Sequence, residues 1–168
     1  MPANSQLSLA LPGVVLSLLT QGGCSAHRTF ADRSPVAPAP IVETIEDQWP
    51  DGTLRLRRQV LRKPDGTLTK HGDYTRWYKN GQKEYEATFA QGRVHEVEMQ
   101  WHDNGQKRTE QHYIHGKRNG PRHDWDPKGR KVKEEHYLDD KPHGTWTVWD
   151  KRGRVKWRAT FDHGTIVP

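Results

Sequence analysis

Apolar and polar side chains alternate over short runs along most of this chain. Tyr85, Ala87 and Phe89 fall on one side of such a run and Glu84, Glu86 and Thr88 on the other, and Trp157, Ala159 and Phe161 alternate in the same way with Lys156, Arg158 and Thr160. A period of two is that of an extended strand with one aromatic and one charged face. No run of 11 or more residues has helical apolar spacing, and turn residues come every 10 to 14 positions. The pattern predicts an all-β fold of short antiparallel strands.

The strands recur at a fixed step. Tryptophan appears every 24 residues at Trp77, Trp101, Trp125 and Trp149, each followed four positions later by a glycine, at Gly81, Gly105, Gly129 and Gly153. The same register carries an aromatic at Phe89, Tyr113, Tyr137 and Phe161 and a loop position at Gly92, Gly116, Asp140 and Gly164. A period in this range marks units that cannot bury a face alone and must stack on their neighbours. Each unit reads as one β-hairpin. In the last, residues 144–150 form a strand, 151–153 a tight turn and 154–161 the returning strand. Two strands per unit at about 4.8 Å each advance the sheet by about 9.6 Å, so five units give an elongated single-layer antiparallel ribbon of stacked hairpins roughly 48 Å long.

Asp51-Gly52 and Asp65-Gly66 bracket a run in which Leu and Val are interleaved with arginine, so the array is expected to open near Trp49 with a degenerate terminal unit. Before it, residues 24–46 include three prolines within six positions and no amphipathic period, which predicts an extended tether. The repeat domain is accordingly placed at 47–168.

Composition sharpens this picture. With 32% hydrophobic and 29% charged residues and a mean hydropathy of −1.06, a thick two-layer core is not expected. The first 23 residues carry no charge, so the whole net charge of +6 lies in the remainder. Residues 7–19 form an apolar stretch too short to span a bilayer but long enough for the core of a secretory signal. Gly22 and Gly23 then precede Cys24, the one cysteine. The arrangement resembles a bacterial lipoprotein signal, which implies a signal peptide at 1–23 and lipidation of Cys24. Cleavage after Ala26 without lipid, or a retained hydrophobic N-terminus in a cytosolic protein, are the alternatives. A lone cysteine forms no intramolecular disulfide.

Candidate chemistry is sparse. Among the ten histidines, His71, His95 and His143 share one repeat column, with Asn119 in the third unit, and His112 and His136 share another. Equivalent positions one unit apart lie about 9.6 Å from each other, too far for two imidazoles to share a zinc ion, so no metal site is expected. Gly-x-Ser-x-Gly, phosphate-loop and dinucleotide motifs are absent, so neither catalytic residues nor a cofactor are expected. Arg55, Arg57, Arg58, Arg62 and Lys63 form a basic run that reads as a charged edge strand discouraging aggregation, or as a contact for an anionic surface. The tryptophan ladder reads as packing before it reads as an exposed binding strip.

The pattern Gly-x-Tyr/Trp-x-x-Trp-x-x-x-Gly, seen at Gly72, Tyr74, Trp77 and Gly81 and again at Gly144, Trp146, Trp149 and Gly153, resembles the bacterial variant of the MORN repeat, found in proteins often labelled YwqK-family antitoxins. The likeness runs from about 70 to 164. Gly120 supplies the leading glycine of the third unit, whereas Glu96 and Glu98 stand at the glycine and aromatic positions of the second and Arg122 at the aromatic position of the third. Those strands are expected to bulge or pack loosely. The resemblance implies a single-layer sheet that binds proteins or membranes, and no enzyme. Joined to the signal, it gives an expected lipid-anchored scaffold of a bacterial cell envelope, facing the periplasm or cell surface and binding a partner protein. A cytosolic antitoxin-like protein that neutralises a toxin is the alternative. Export would remove nucleic acid from the partners.

Overall fold

The structure, a computed structural model, describes residues 39–168. The apolar stretch at 7–19, Cys24 and the proline-rich segment as far as residue 38 lie outside the described residues. The described chain forms one open sheet of twelve strands, in which, apart from β9, each strand is hydrogen-bonded to the next in chain order. The strands are β1 (Ile41–Gln48), β2 (Leu54–Arg62), β3 (Leu68–Trp77), β4 (Lys83–Ala90), β5 (Arg93–Trp101), β6 (Lys107–Ile114), β7 (Lys117–Trp125), β8 (Lys131–Leu138), β9 (Lys141–Pro142), β10 (Gly144–Trp149), β11 (Val155–Asp162) and β12 (Thr165–Val167). β9 and β10 both pair with β8 and stand where β3, β5 and β7 stand as single strands. All pairing is antiparallel, and no helix occurs among the described residues. This is the all-β single-layer sheet of hairpins expected from the alternation.

Registers recur in 24-residue steps: Arg76 opposes Tyr85, Gln100 opposes Thr109, Asp124 opposes Lys133 and Val148 opposes Trp157. From β3 onward two kinds of turn alternate, while the turn between β2 and β3, closed by Gly66, is of the first kind although it lies at the second rim. At one rim, Gly52, Gly81, Gly105, Gly129 and Gly153 close type I turns; Gly129 N, for example, donates to Asp126 O at 2.9 Å, and Asp126 N donates to Arg130 O at 2.9 Å. These glycines have φ of 76 to 85°, the left-handed residue that follows a type I turn in a three-residue hairpin loop. At the opposite rim, Gln91-Gly92, His115-Gly116, Asp139-Asp140 and His163-Gly164 have positive φ at both positions. That is the type I′ turn, whose twist matches the strands it joins.

The sheet starts earlier than expected. Residues 41–46, assigned above to the tether, belong to β1, where β-branched residues alternate with acids that meet arginines of β2: Arg62 pairs with Glu43 at 2.5 Å and Arg57 with Glu46 at 2.6 Å. The basic run is therefore no edge strand. It lies second in the sheet, neutralised in part by an acidic neighbour.

A further column concerns the bulges. Gly72, Glu96, Gly120 and Gly144 all have positive φ, including the glutamate at 68°. Between β4 and β5, Phe89 opposes Val94 while Ala87 opposes Glu98, so a step of two on one strand meets a step of four on the other. Two extra residues bend the strand yet leave each side chain on its own face, because the side-chain period is two. The second unit thus keeps the bulge of its neighbours without their glycine. Glu96→Gly should raise stability by about 0.5–1 kcal/mol, the relief of the left-handed conformation less the extra chain entropy of glycine. Gly72→Ala should lower it by about 1–2 kcal/mol, since the added Cβ would sit 2.0 Å from Gln59 Oε1. Urea midpoints of the two variants against the parent check both signs; a destabilised Glu96→Gly would mean that the glutamate side chain holds the bulge.

Candidate interaction surface

Alternation assigns Tyr74, Tyr85, Ala87 and Phe89 to one face near the start of the array and Trp146, Trp157, Ala159 and Phe161 to the same face near its end. At both places the rings pack. Tyr74 lies 5.6 Å from Tyr85 and from Phe89, and Trp146 lies 4.7 Å from Phe161 and 5.2 Å from Tyr137. Between these two clusters the face keeps Tyr113 and Tyr137 but is otherwise polar. Glu98 and Arg122 occupy the column of Tyr74 and Trp146, and Gln111 and Glu135 that of Ala87 and Ala159.

Gln111 and Glu135 are buried, Glu98 and Arg122 half-buried, and most of their polar atoms are paired. Glu135, only 2% exposed, receives Lys133 Nζ at 2.6 Å and the Tyr137 hydroxyl at 3.1 Å, with Arg122 Nε at 3.6 Å. Arg122 also contacts Asp124 at 3.2 Å, and Thr109 Oγ1 donates to Asp124 Oδ1 at 3.0 Å. Gln111 Nε2 donates to the His112 carbonyl at 3.0 Å, while its buried Oε1 has no partner. Burial first, and then the Glu98 charge, push the Tyr113 phenol up to about 12; burial, the Glu135 charge and its hydrogen bond do the same to Tyr137. The Arg118 guanidinium sits 4.1 Å from the centre of the Tyr137 ring. Glu84, expected on the opposite face, instead accepts from Arg76 Nε at 2.7 Å, because the register shifts between Arg76 and Trp77.

The opposite face carries the tryptophans. Trp77, Trp101, Trp125 and Trp149 are half-buried near the type I rim. Lys83 Nζ lies 5.6 Å from the centre of Trp101 and 2.9 Å from Glu86. Lys107 Nζ lies 5.4 Å from Trp125 and 2.6 Å from Glu110. Lys131 pairs with Glu134 at 3.1 Å, and Arg57 stands 5.9 Å from Trp77. A cation thus lies over Trp77, Trp101 and Trp125, so these three tryptophans serve mainly as cement between units. The rim adds further ties. Asn80 Nδ2 donates to Asp103 O at 2.6 Å, Asn104 Nδ2 to Pro127 O at 2.7 Å and Tyr78 Oη to Trp101 O at 2.9 Å. The Arg130 side chain holds the Asp126 carboxyl down to about 2. The sequence signals for these ties were the recurrences of Lys83, Lys107 and Lys131 with Glu86, Glu110 and Glu134, which the tryptophan and glycine columns overshadowed.

The columns Phe89, Tyr113, Tyr137 and Phe161 do line up on one face, with Phe89 and Tyr137 buried. Gly92, Gly116, Asp140 and Gly164 each occupy the second turn position, and their N–H groups donate to the carbonyls of Lys70, Val94, Arg118 and Pro142 at 2.7 to 3.0 Å.

Two consequences can be measured. Glu135→Ala leaves Arg122 and Lys133 without their shared partner and should cost about 1–3 kcal/mol. Adding Arg122→Tyr restores the tyrosine and alanine pair of the first unit, so the double variant should recover most of that loss in a mutant cycle; an additive result would mean the two side chains are uncoupled. In alkali, the folded phenols of Tyr113 and Tyr137 hold protons that the unfolded chain releases from about pH 10. Their contribution to stability is therefore full below about pH 10 and lost as pH rises through about 12. Phenolate absorbance followed alongside unfolding should show these two groups ionising late, together with Tyr85, which burial also holds protonated; ionisation of all five tyrosines near pH 10 in the folded protein would contradict their burial.

Residues 70–91, which are the hairpin of β3 and β4 with its closing turn, match the family model described as MORN repeat variant. No curated protein matches the chain. A repeat of this kind, continued into one open sheet, fits a protein-interaction scaffold as a general class of function.

Proposed function

We propose that the chain is a lipid-anchored scaffold of a bacterial cell envelope, held to the membrane through Cys24 and capturing a partner protein along its repeat sheet. The observation that carries the reading is the recurrence of equivalent side chains at equal steps on an open sheet that has no second layer among the described residues. Such a surface offers a partner many weak contacts whose sum is large. The apolar stretch at 7–19 followed by Gly22, Gly23 and Cys24 supports the anchor. Export favours a protein partner over nucleic acid, despite an isoelectric point near 9.5.

Location is the first test. Labelled fatty acid should enter the membrane fraction with the intact protein and be absent from Cys24→Ser. A soluble cytosolic protein with an uncleaved N-terminus would overturn the anchor and favour the antitoxin-like alternative, which suppression of a toxin's lethality would then establish. Capture is the second test. Deleting residues 125–148 removes one whole period and joins Asp124 to Trp149 in register, so a shorter folded sheet with weakened capture is expected. Replacing one exposed lysine or arginine should change affinity by about 1 kcal/mol or less. Loss of capture from a single side chain, with capture intact in the folded deletion variant, would replace the distributed surface by a local site.

A further inference from the structure

Histidines from different repeat columns meet at the type I′ rim. His95 and His115 stack with ring centres 5.1 Å apart, and His143 and His163 lie at the same 5.1 Å two units on. These pairs cross the repeat columns, since each joins one histidine to the turn histidine 20 residues later in the same unit. The second pair has a carboxylate beside it. Asp162 Oδ1 lies 2.6 Å from His163 Nδ1 and 3.4 Å from His143 Nδ1, and the three residues can each present one ligand atom within 4.8 Å of the other two. His143 Nδ1 is shielded from solvent and makes no hydrogen bond.

Backbone geometry fixes this arrangement. His163 is the first left-handed residue of its turn, with φ of 47°. Gly164 N donates to Pro142 O at 2.7 Å and His143 N to His136 O at 2.9 Å, so the turn and the break between β9 and β10 are held side by side. Tetrahedral ligands at about 2.0–2.1 Å from a zinc ion stand about 3.3 Å apart. The separation between His143 and Asp162 already has that value, and the hydrogen-bonded pair of Asp162 and His163 needs to open by well under 1 Å. We propose that His143, Asp162 and His163 form a binding site for a divalent transition ion of the zinc class, two imidazoles and one carboxylate being a donor set suited to it, with water completing the coordination. The ion would join the loop between β9 and β10 to the turn between β11 and β12.

The repeat supplies its own control. At the earlier pair Ile114 stands where Asp162 stands, so His95 and His115 lack a third ligand. Titration of the full chain with zinc, by calorimetry and by competition with cobalt followed through its visible absorption, should give one site per chain of micromolar affinity. Asp162→Asn and His163→Asn should each weaken it at least tenfold. His163→Asn places Asn-Gly, the preferred type I′ pair, in the turn, so folding is preserved while the imidazole is removed. His115→Ala should leave binding unchanged, and Ile114→Asp should raise the stoichiometry from one to two. Absence of binding, or binding that survives both Asp162→Asn and His163→Asn, would overturn the proposal.

Discussion

A sheet one layer thick has no interior, and this constraint governs the rest of the molecule. Among the described residues only Leu56, Val60, Ala87, Phe89 and Tyr137 are buried apolar side chains, far fewer than a two-layer domain of this length would enclose. Cohesion must therefore come from the continuous backbone ladder and from ties that cross from one unit to the next. Those ties are repeated: a cation over the next tryptophan, an asparagine reaching the next turn, a turn amide donating back to the strand before last. Each is weak and partly exposed, and the fold relies on their recurrence.

The same constraint explains the polar middle. In a thick core, a glutamate as buried as Glu135 would face apolar walls. Here its neighbours in the sheet are Lys133, Arg122 and Tyr137, each able to supply a donor along one face. The array can thus exchange an apolar pair such as Tyr74 and Ala87 for a charged pair such as Arg122 and Glu135 at equivalent positions without changing its backbone. Removing one partner of such a pair is costly, whereas exchanging both is tolerated. The backbone is set by turns and bulges, and the side chains on the face are left to vary by unit.

This separation also decides what was legible in the sequence. Turns and period could be read because glycine at Gly81 or Gly153 and tryptophan at Trp77 or Trp149 answer to local geometry that repeats. β1 could not, because it follows a proline-rich segment, the Trp49 and Gly52 beyond it stand outside the 24-residue register, and it is held by arginines of another strand. The bulge at Glu96 was visible only as a departure, since its left-handed backbone is imposed by neighbouring units against the preference of the residue. Glu135 stands out in no sequence pattern although strand alternation places it on the face of Tyr137, because pairing across strands cannot be seen in a single strand.

The C-terminal end is where this architecture is weakest and where it departs from its own repeat. β12 covers only Thr160, Phe161 and Asp162 of β11, so Val155 to Ala159 have no strand on that side among the described residues, and Trp157 is 42% exposed. Nearest-neighbour stabilisation, which every inner strand receives twice, is halved there. In the same unit Asp162 replaces the apolar residue found at Ala90, Ile114 and Leu138, and His163 sits beside His143. A cross-link between the β9–β10 break and the last turn would act across the strands that the ladder holds least well. An added tie at the position where the repeat alters its chemistry would thus reinforce strands that have one full neighbour instead of two.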